Sequence, residues 1–311
     1  MYAFIINVAA GGGRAAKVRP TIERFMAAAG ADFQIFETTS PEEASKLSGQ
    51  VAVEGRTPVA VGGDGSIHHV FSGLVEAMEE HSVDPTLGIL PVGTGNDLAR
   101  MLGIPLTLED SLASLVRGAS RAIDFGIVEW DDSQGGGRRP FINVAGIGLD
   151  ARSAMLAVKL KPYLGNLCYT VAPALSVWTW KRPTATIKVE DATGESTGWT
   201  GELLLASVAN GKWVGGGIKI SPDAQIDDGL LDLCLIRAAS PVRALVILPK
   251  AVKGRHNGLP EVDARPFRSM TIVVSRESPI HLDGEPCSSN ATRARFGVSS
   301  RRLMVVTPER S

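Results

Sequence analysis

The sequence predicts an α/β plus mainly β protein. Its N-terminal domain reads as a doubly wound parallel sheet, and its C-terminal domain as an antiparallel, β-sandwich-like unit. Three observations carry this expectation. Short apolar runs alternate with helix-period segments up to about residue 121. The rhythm then changes to closely spaced strands. Three of the early runs end in glycine-rich turns. At 311 residues the chain is also long for a single hydrophobic core.

Taken in order, AFIINV (3–8) reads as a buried strand, followed by a glycine-rich turn and a helix around Ile22, Phe25 and Met26. FQIFE (33–37) is a second strand. Ser40 with Glu43 three residues on is a capping box that opens the next helix. PVAV (58–61) feeds GGDG and a helix whose apolar face is Ile67, Val70, Phe71, Leu74 and Met78. LGIL (87–90) feeds PVGTGNDLARML and another helix. Apolar strands separated by helices imply a parallel sheet covered on both faces, with ligands bound beyond the carboxyl ends of its strands.

In the second half, Ala122–Trp130, Phe141–Val144, Ala185–Glu190, Glu202–Val208, Leu230–Ile236, Met270–Val274 and Pro279–Leu282 read as strands. Asp131–Arg139 reads as a mobile hairpin loop. Helices are expected near 150–160, in the uncharged stretch Pro162–Trp180 and near 240–253. The uncharged stretch holds two prolines and several hydroxyls, which makes it too polar for a membrane span. It suits either core packing or an interface, and Trp178 and Trp180 followed by Lys181 and Arg182 suit a headgroup boundary.

Charge is divided unevenly. Residues 1–140 hold 11 Lys and Arg against 18 Asp and Glu, whereas residues 141–311 hold 21 against 15. A basic second half points to an anionic partner such as a membrane surface or phosphates, and nothing in the motifs points to nucleic acid. Cys168, Cys234 and Cys287 are odd in number and widely spaced. They exclude a disulfide framework and a C-x-x-C zinc site, and they fit a reducing cytoplasm. The N-terminus lacks the basic region of a secretory signal.

The GGDG turn, Gly62, Gly63, Asp64 and Gly65, lies between a strand and a helix start. There backbone N–H groups and the helix dipole favour phosphate, and Ser66 adds a hydroxyl. Asp64 would repel bare phosphate, so its presence implies a cation, most simply Mg²⁺. Gly93, Thr94, Gly95, Asn96 and Asp97 form a second such turn at the adjacent strand end. Gly11–Gly13 with Ala16, and Glu37 beyond, imitate a dinucleotide fingerprint and keep a dehydrogenase open. A Walker A loop and a G-x-S-x-G elbow are both absent from the sequence. In AQIDDGLLDL (224–233) an Asp-Gly turn is either a hard-cation site or a hairpin. HLDGEP (281–286) reads either as extended chain, on which Asp283 and Glu285 stand two apart and point to one side, where paired acids can make a general base, or as a turn with solvated acids.

GGDGSIHHV, PVGTGNDLAR, FINVAGIGLDA, ISPDAQIDDGLLDL and HLDGEP, taken in order, resemble the diacylglycerol kinase catalytic-domain family, which includes bacterial soluble lipid kinases and sphingosine kinases. The resemblance implies an ATP-binding domain over 1–122, with 300–311 returning to it, and a β-rich lipid-binding domain over 123–299. It places the active site in the cleft between them. It implies an ATP site from Thr38, the run Gly62–His68 (which includes Ile67 and His68) and Thr94. It implies Mg²⁺ at Asp228 with carbonyls from Gln225 and Leu230. It also implies Glu285 as catalytic base, with Asp283 beside it and a link to Asp64 through water and metal.

Its implied reaction moves the γ-phosphate of ATP to a lipid alcohol such as diacylglycerol, in a cytoplasmic protein that touches anionic membranes peripherally and could form a homodimer. An NAD kinase-like phosphotransferase and an inactive lipid-binding homologue are the alternatives. The chain departs from the family at Val8–Ala9, where a proline is usual. It departs again at His68–His69, which replace Asn-Glu.

Overall fold

The computed structural model describes residues 1–8, 15–237 and 240–309. The run Gly11–Gly13 lies outside them, and with it the glycines of the dinucleotide fingerprint. The chain forms two compact units, Met1–Ile123 with Arg301–Ser311, and Asp124–Ser300.

The first unit is built on six strands: β1 (Tyr2–Asn7), β2 (Phe33–Thr38), β3 (Thr57–Gly62), β4 (Thr86–Pro91), β5 (Ala119–Ile123) and β15 (Leu303–Thr307), in the order β2-β1-β3-β4-β15-β5. All pairs are parallel except β15 with β5 at the edge. Helices α1 (Arg19–Ala28) and α5 (Leu108–Arg117) bury Ile22, Met26, Leu112 and Leu115 with Phe4, Ile6, Val59 and Val61 of the strands. Helices α2 (Pro41–Val53) and α3 (Asp64–His81) pack closely together, and Ser48 Oγ on α2 donates to the Val70 carbonyl on α3 (2.8 Å). The capping box forms at Ser40, whose hydroxyl accepts from Glu43 N (3.1 Å).

From β1 the chain moves one way to β2, then the other way to β3 and β4. The strand order therefore reverses between β1 and β3, the switch point at which such sheets bind ligands beyond the strands' carboxyl ends. The returning C-terminal segment is tied by Arg301, which pairs with Asp84 (2.6 Å) and donates to the carbonyls of Val83 (2.9 Å) and Met78.

The second unit is one antiparallel nine-stranded sheet. Its strands are β6 (Gly126–Asp132), β7 (Gly137–Phe141), β8 (Val144–Gly148), β9 (Thr184–Glu190), β10 (Ser196–Ala209), β11 (Leu231–Arg237), β12 (Val262–Phe267), β13 (Ser269–Leu282) and β14 (Glu285–Val298). Their order is β12-β11-β10-β8-β13-β14-β6-β7, with β9 bridging β10 and β13. All nine strands contribute to one buried cluster that includes Val128, Phe141, Ile147, Ile187 and Phe267, so the sheet wraps its own core like a sandwich. A second cluster on β10 and β11, including Leu204, Cys234 and Ile236, is covered by Val177 of helix α7 (Cys168–Thr179) and by Ala244 and Ile247 of α8 (Pro241–Val252). Helix α6 (Leu149–Leu164) packs against α7.

Three expectations are corrected. Ala122–Trp130 is not one strand; it breaks at Asp124, a buried residue whose N–H donates to the Ile226 carbonyl (2.7 Å). Phe141–Val144 breaks at Ile142–Asn143, where amides turn away from the ladder toward a carboxylate. The loop expected over Asp131–Arg139 is mostly the β6–β7 hairpin. Asp132 Oδ1 accepts from Gln134 N (2.8 Å) and Gly136 N (2.9 Å), and Gly135 and Gly136 take positive φ. No helix among the described residues is long and apolar enough to cross a membrane.

Candidate active site

The first candidate group lies at the carboxyl edge of the parallel sheet. β3 runs through Gly62, and α3 starts at Asp64 with no side-chain cap. The Gly65 and Ser66 amides, in the first turn of α3, have no carbonyl four residues back inside the helix and suit phosphate oxygens. The second turn touches the first backbone to backbone. A Cβ on Gly63 would lie 3.1 Å from Gly93 Cα, and one on Gly93 would overlap Gly63 Cα. Asn96, in left-handed conformation, closes the second turn by accepting from Gly93 N (3.1 Å) and donating to Gly93 O (3.0 Å). Asp64 Oδ1 accepts from Leu98 N (3.3 Å) at the start of α4 (Asp97–Met101), so this carboxylate joins the two turns. Thr94 is exposed at the tip, whereas Asp97 is buried beside Arg100 (3.4 Å).

Other expected nucleotide contacts fall differently. Thr38 is fully buried, and its hydroxyl donates to the Ile6 carbonyl (3.4 Å), so it holds β1 to β2 and has no surface for a ligand. Ile67 is core, and its N–H already donates to Gly63 O (3.1 Å). His68 is buried against the edge of His69, with ring centroids 5.4 Å apart. Glu37 of the dinucleotide fingerprint is paired with Arg19 (2.7 Å).

The second group is the β13–β14 hairpin. Asp283 and Gly284 are its two turn residues, with φ of 51° and 90°, and Leu282 opposes Glu285. These values suit a type I′ turn, for which Asp-Gly is a preferred pair. The two acids are therefore not neighbours on an extended chain, which overturns the expectation that both point to one side. The Asp283 carboxylate accepts three backbone N–H groups, from Ile142 (3.0 Å), Asn143 (2.8 Å) and Val144 (2.9 Å). Glu285 is half-buried, and its carboxylate has no hydrogen bond or ion pair among the described residues.

A buried set that sequence reasoning missed steadies the same turn. The Gly284 N–H donates to His281 Nδ1 (3.3 Å), which leaves the proton on Nε2, 3.4 Å from Asp150 Oδ2. Ser207 Oγ donates to the same oxygen (2.6 Å). Gly146 runs so close to Asp150 and His281 that a Cβ there would overlap the Asp150 carboxylate. The only signal in the sequence was the presence of Asp150 in FINVAGIGLDA and of His281 in HLDGEP.

The third group is the Asp-Gly-Leu turn. Asp228 Oδ1 accepts from Leu230 N (3.0 Å), and buried Asp124, also missed, accepts from Gly229 N (2.6 Å). Desolvation, with Asp124 and Asp227 nearby, raises the Asp228 carboxyl above the usual carboxylate range. Burial, reinforced by Asp228 and Asp223, pushes Asp232 up to about 6. This crowding of acids would favour a cation beside the turn, and the residues expected to hold Mg²⁺, Asp228 with the Gln225 and Leu230 carbonyls, offer oxygen donors of the kind that ion prefers.

A doubly wound unit and an antiparallel β unit, with two glycine turns pressed together, are the parts that comparison with known proteins assigns to the diacylglycerol kinase class. The diacylglycerol kinase catalytic domain matches residues 1–128, and the YegS C-terminal NAD kinase beta sandwich-like domain matches residues 143–307. "Probable lipid kinase YegS-like" of Yersinia enterocolitica is 34% identical over 244 residues, 78% of this chain and 76% of that protein. "Probable lipid kinase YegS" of Escherichia fergusonii is 33% identical over 233 residues, 75% of this chain and 72% of that one. The chain belongs to this family of lipid kinases.

Solved structures share the fold. A diacylglycerol kinase from Bacillus anthracis matches with a TM-score of 0.75 at 22% identity, over 99% of this chain and 97% of that one. An NAD kinase from Archaeoglobus fulgidus in complex with ATP matches with 0.51 at 13% identity, over 99% and 94%.

Two outcomes follow from this geometry. Gly93→Ala should weaken ATP binding at least tenfold in titration calorimetry, because the new methyl separates the two turns; unchanged affinity would detach the turns from the nucleotide. Asp283→Ala should destabilise the protein by about 3 kcal/mol in chemical denaturation, since three amides lose their acceptor and alanine disfavours positive φ. Asp283→Asn, which keeps one acceptor oxygen, should fall between.

Proposed function

We propose that the protein transfers the γ-phosphate of ATP to the hydroxyl of a lipid alcohol, diacylglycerol or a close relative, giving a phospholipid such as phosphatidic acid. The observation that carries this reading is the division of labour in the HLDGEP hairpin. Asp283 is consumed in holding the turn, and Glu285 is left as a half-buried carboxylate with no hydrogen bond or ion pair among the described residues. Membership of the lipid-kinase family supports the substrate class.

In this mechanism the amides of Gly65 and Ser66 hold phosphate oxygens, with the Ser66 hydroxyl and Thr94 beside them. Glu285 takes the proton from the lipid hydroxyl, the freed oxygen attacks the γ-phosphorus in line, and ADP departs with the bridging oxygen. Asp64 keeps the two turns in register through Leu98, and Asp283 and His281 keep Glu285 in place. All three act by positioning. A Mg²⁺ held by Asp228 and the Gln225 and Leu230 carbonyls would neutralise the acid-rich turn and order it. Three unpaired cysteines suit a reducing compartment, so we place the enzyme in the cytoplasm, working on lipid at a membrane surface.

ADP release should appear with diacylglycerol in mixed micelles, or with sphingosine or another lipid alcohol, and not with NAD in plain buffer. Turnover on NAD alone would favour the NAD kinase alternative, and no turnover on any acceptor would favour the inactive one. Glu285→Gln should lower kcat by roughly 10²–10⁴-fold with ATP affinity unchanged, the range for losing a general base; retained kcat would remove Glu285 from that role. Mg²⁺ should raise the melting temperature of the wild-type protein and leave that of Asp228→Asn unmoved, because a ligand bound only by the folded state stabilises it. An equal rise in both would exclude Asp228 as the ligand.

A further inference from the structure

The helical layer of the second unit is apolar on two faces. Helix α7 carries no charged residue from Cys168 to Thr179. Its inner face buries Cys168, Ala172 and Val177, while Val171, Leu175 and Trp178, with Leu167 just before the helix, are exposed at three- and four-residue spacing. Helix α8 repeats the pattern, with Ala244, Ile247 and Ala251 buried and Val242, Leu245, Val246 and Val252 exposed. Tyr163 near the end of α6 is 86% exposed. α7 and α8 cover the same cluster on β10 and β11, so their outer stripes both face away from the sheet. A helix apolar all round is ordinarily buried. Of the 14 large hydrophobic residues exposed among the described residues, 10 lie in this layer, which makes it a patch in search of a partner.

Its charge says which partner. Residues 149–183 and 240–255 carry nine Lys and Arg and a single acid, Asp150. Lys181 follows the tryptophan end of α7, and Lys250, Lys253 and Arg255 are exposed at the end of α8. Protein interfaces are poor in lysine, whereas exposed aliphatic and aromatic side chains fringed by lysine and arginine match an anionic lipid surface.

We propose that the outer face of α7 and α8 is the surface by which this enzyme docks on an anionic bilayer. The choice of a bilayer as occupant rests on the lipid-kinase reading. Twelve residues of α7 reach about 18 Å, short of the roughly 30 Å hydrocarbon core, so the helix lies in the headgroup boundary without crossing it.

Vesicle flotation tests this. Wild-type protein should rise with phosphatidylglycerol vesicles and much less with phosphatidylcholine. The double variant Leu175→Gln/Trp178→Gln should bind roughly tenfold less or weaker still, from the loss of two buried apolar side chains. Lys250→Glu/Lys253→Glu should bind less and lose its salt dependence. Both variants alter exposed positions, and both should keep wild-type turnover on a short-chain diacylglycerol below its critical micelle concentration. Unchanged flotation of both variants would overturn the proposal. So would a dimer, seen by light scattering, that the apolar variant dissociates while flotation is unaffected, because the face would then belong to a second copy. Vesicle binding that depends on these residues, in a protein with no turnover on any lipid, would leave the docking face standing and overturn the lipid-kinase reading instead.

Discussion

Three backbone N–H groups, from Ile142, Asn143 and Val144, converge on the carboxylate of Asp283, and the β7–β8 and β13–β14 region of the second unit is arranged around that contact. It interrupts what would otherwise be one strand and so separates β7 from β8. It ties a chain segment to another some 140 positions away. It also holds Asp283 in a left-handed conformation that only a tight turn requires. An anionic acceptor of three partly buried amides is strong and leaves little freedom. The neighbouring Gly284 amide is taken by His281, so the whole turn that carries Glu285 is fixed by its backbone.

The same device recurs through the molecule. Asp64 takes the Leu98 amide, Asp124 takes Gly229, and Asp132 takes Gln134 and Gly136. In each case a carboxylate is spent on backbone amides at a break between elements, where ladder or helix bonds cannot satisfy them. Aspartate suits this work because its short side chain has little rotamer freedom to lose when its oxygens are fixed on amides, near in sequence at Asp132 and distant at the others. An aspartate in a glycine-rich turn is therefore no evidence of catalysis until its oxygens have been accounted for.

This explains what could be read from the sequence and what could not. The parallel strands of the first unit were legible because each is a continuous apolar run closed by a turn signal, and Ser40 with Glu43 announced a cap that forms. The two glycine turns were legible as a pair, and the backbone contact between them shows why Gly93 admits no side chain and why one at Gly63 would be tight. The strand breaks at Asp124 and Asn143 were not legible, since their cause is a long-range hydrogen bond with no local signature. Asp-Gly between alternating residues did signal a two-residue hairpin, but the two acids were read by the period of an extended strand, which a type I′ turn interrupts. Thr38 and Ile67 show the opposite failure. A role implied by position assumes an exposed side chain, whereas Thr38 on β2 and Ile67 on α3 are buried.

Elimination among the acids sharpens the chemistry. A general base must present an oxygen that nothing else occupies, within reach of a proton. Asp283 has given both oxygens to amides, and Asp150 is shared between Ala151, Ser207 and His281. Asp228 has one oxygen on Leu230 and sits among acids that favour its neutral form without a cation. Half-buried Asp232 on β11 also has no hydrogen-bond or ion-pair partner among the described residues, but it lies outside the HLDGEP turn. Glu285 belongs to that turn. It is one methylene longer, stands on the strand side of a rigid turn, and has a carboxylate that no described group engages. Glutamate's extra length is a liability where a backbone must be held and an advantage where a proton must be met. Asp at one end of D-G-E is accounted for by the amides it holds, and Glu at the other has the reach that the proposed general base requires.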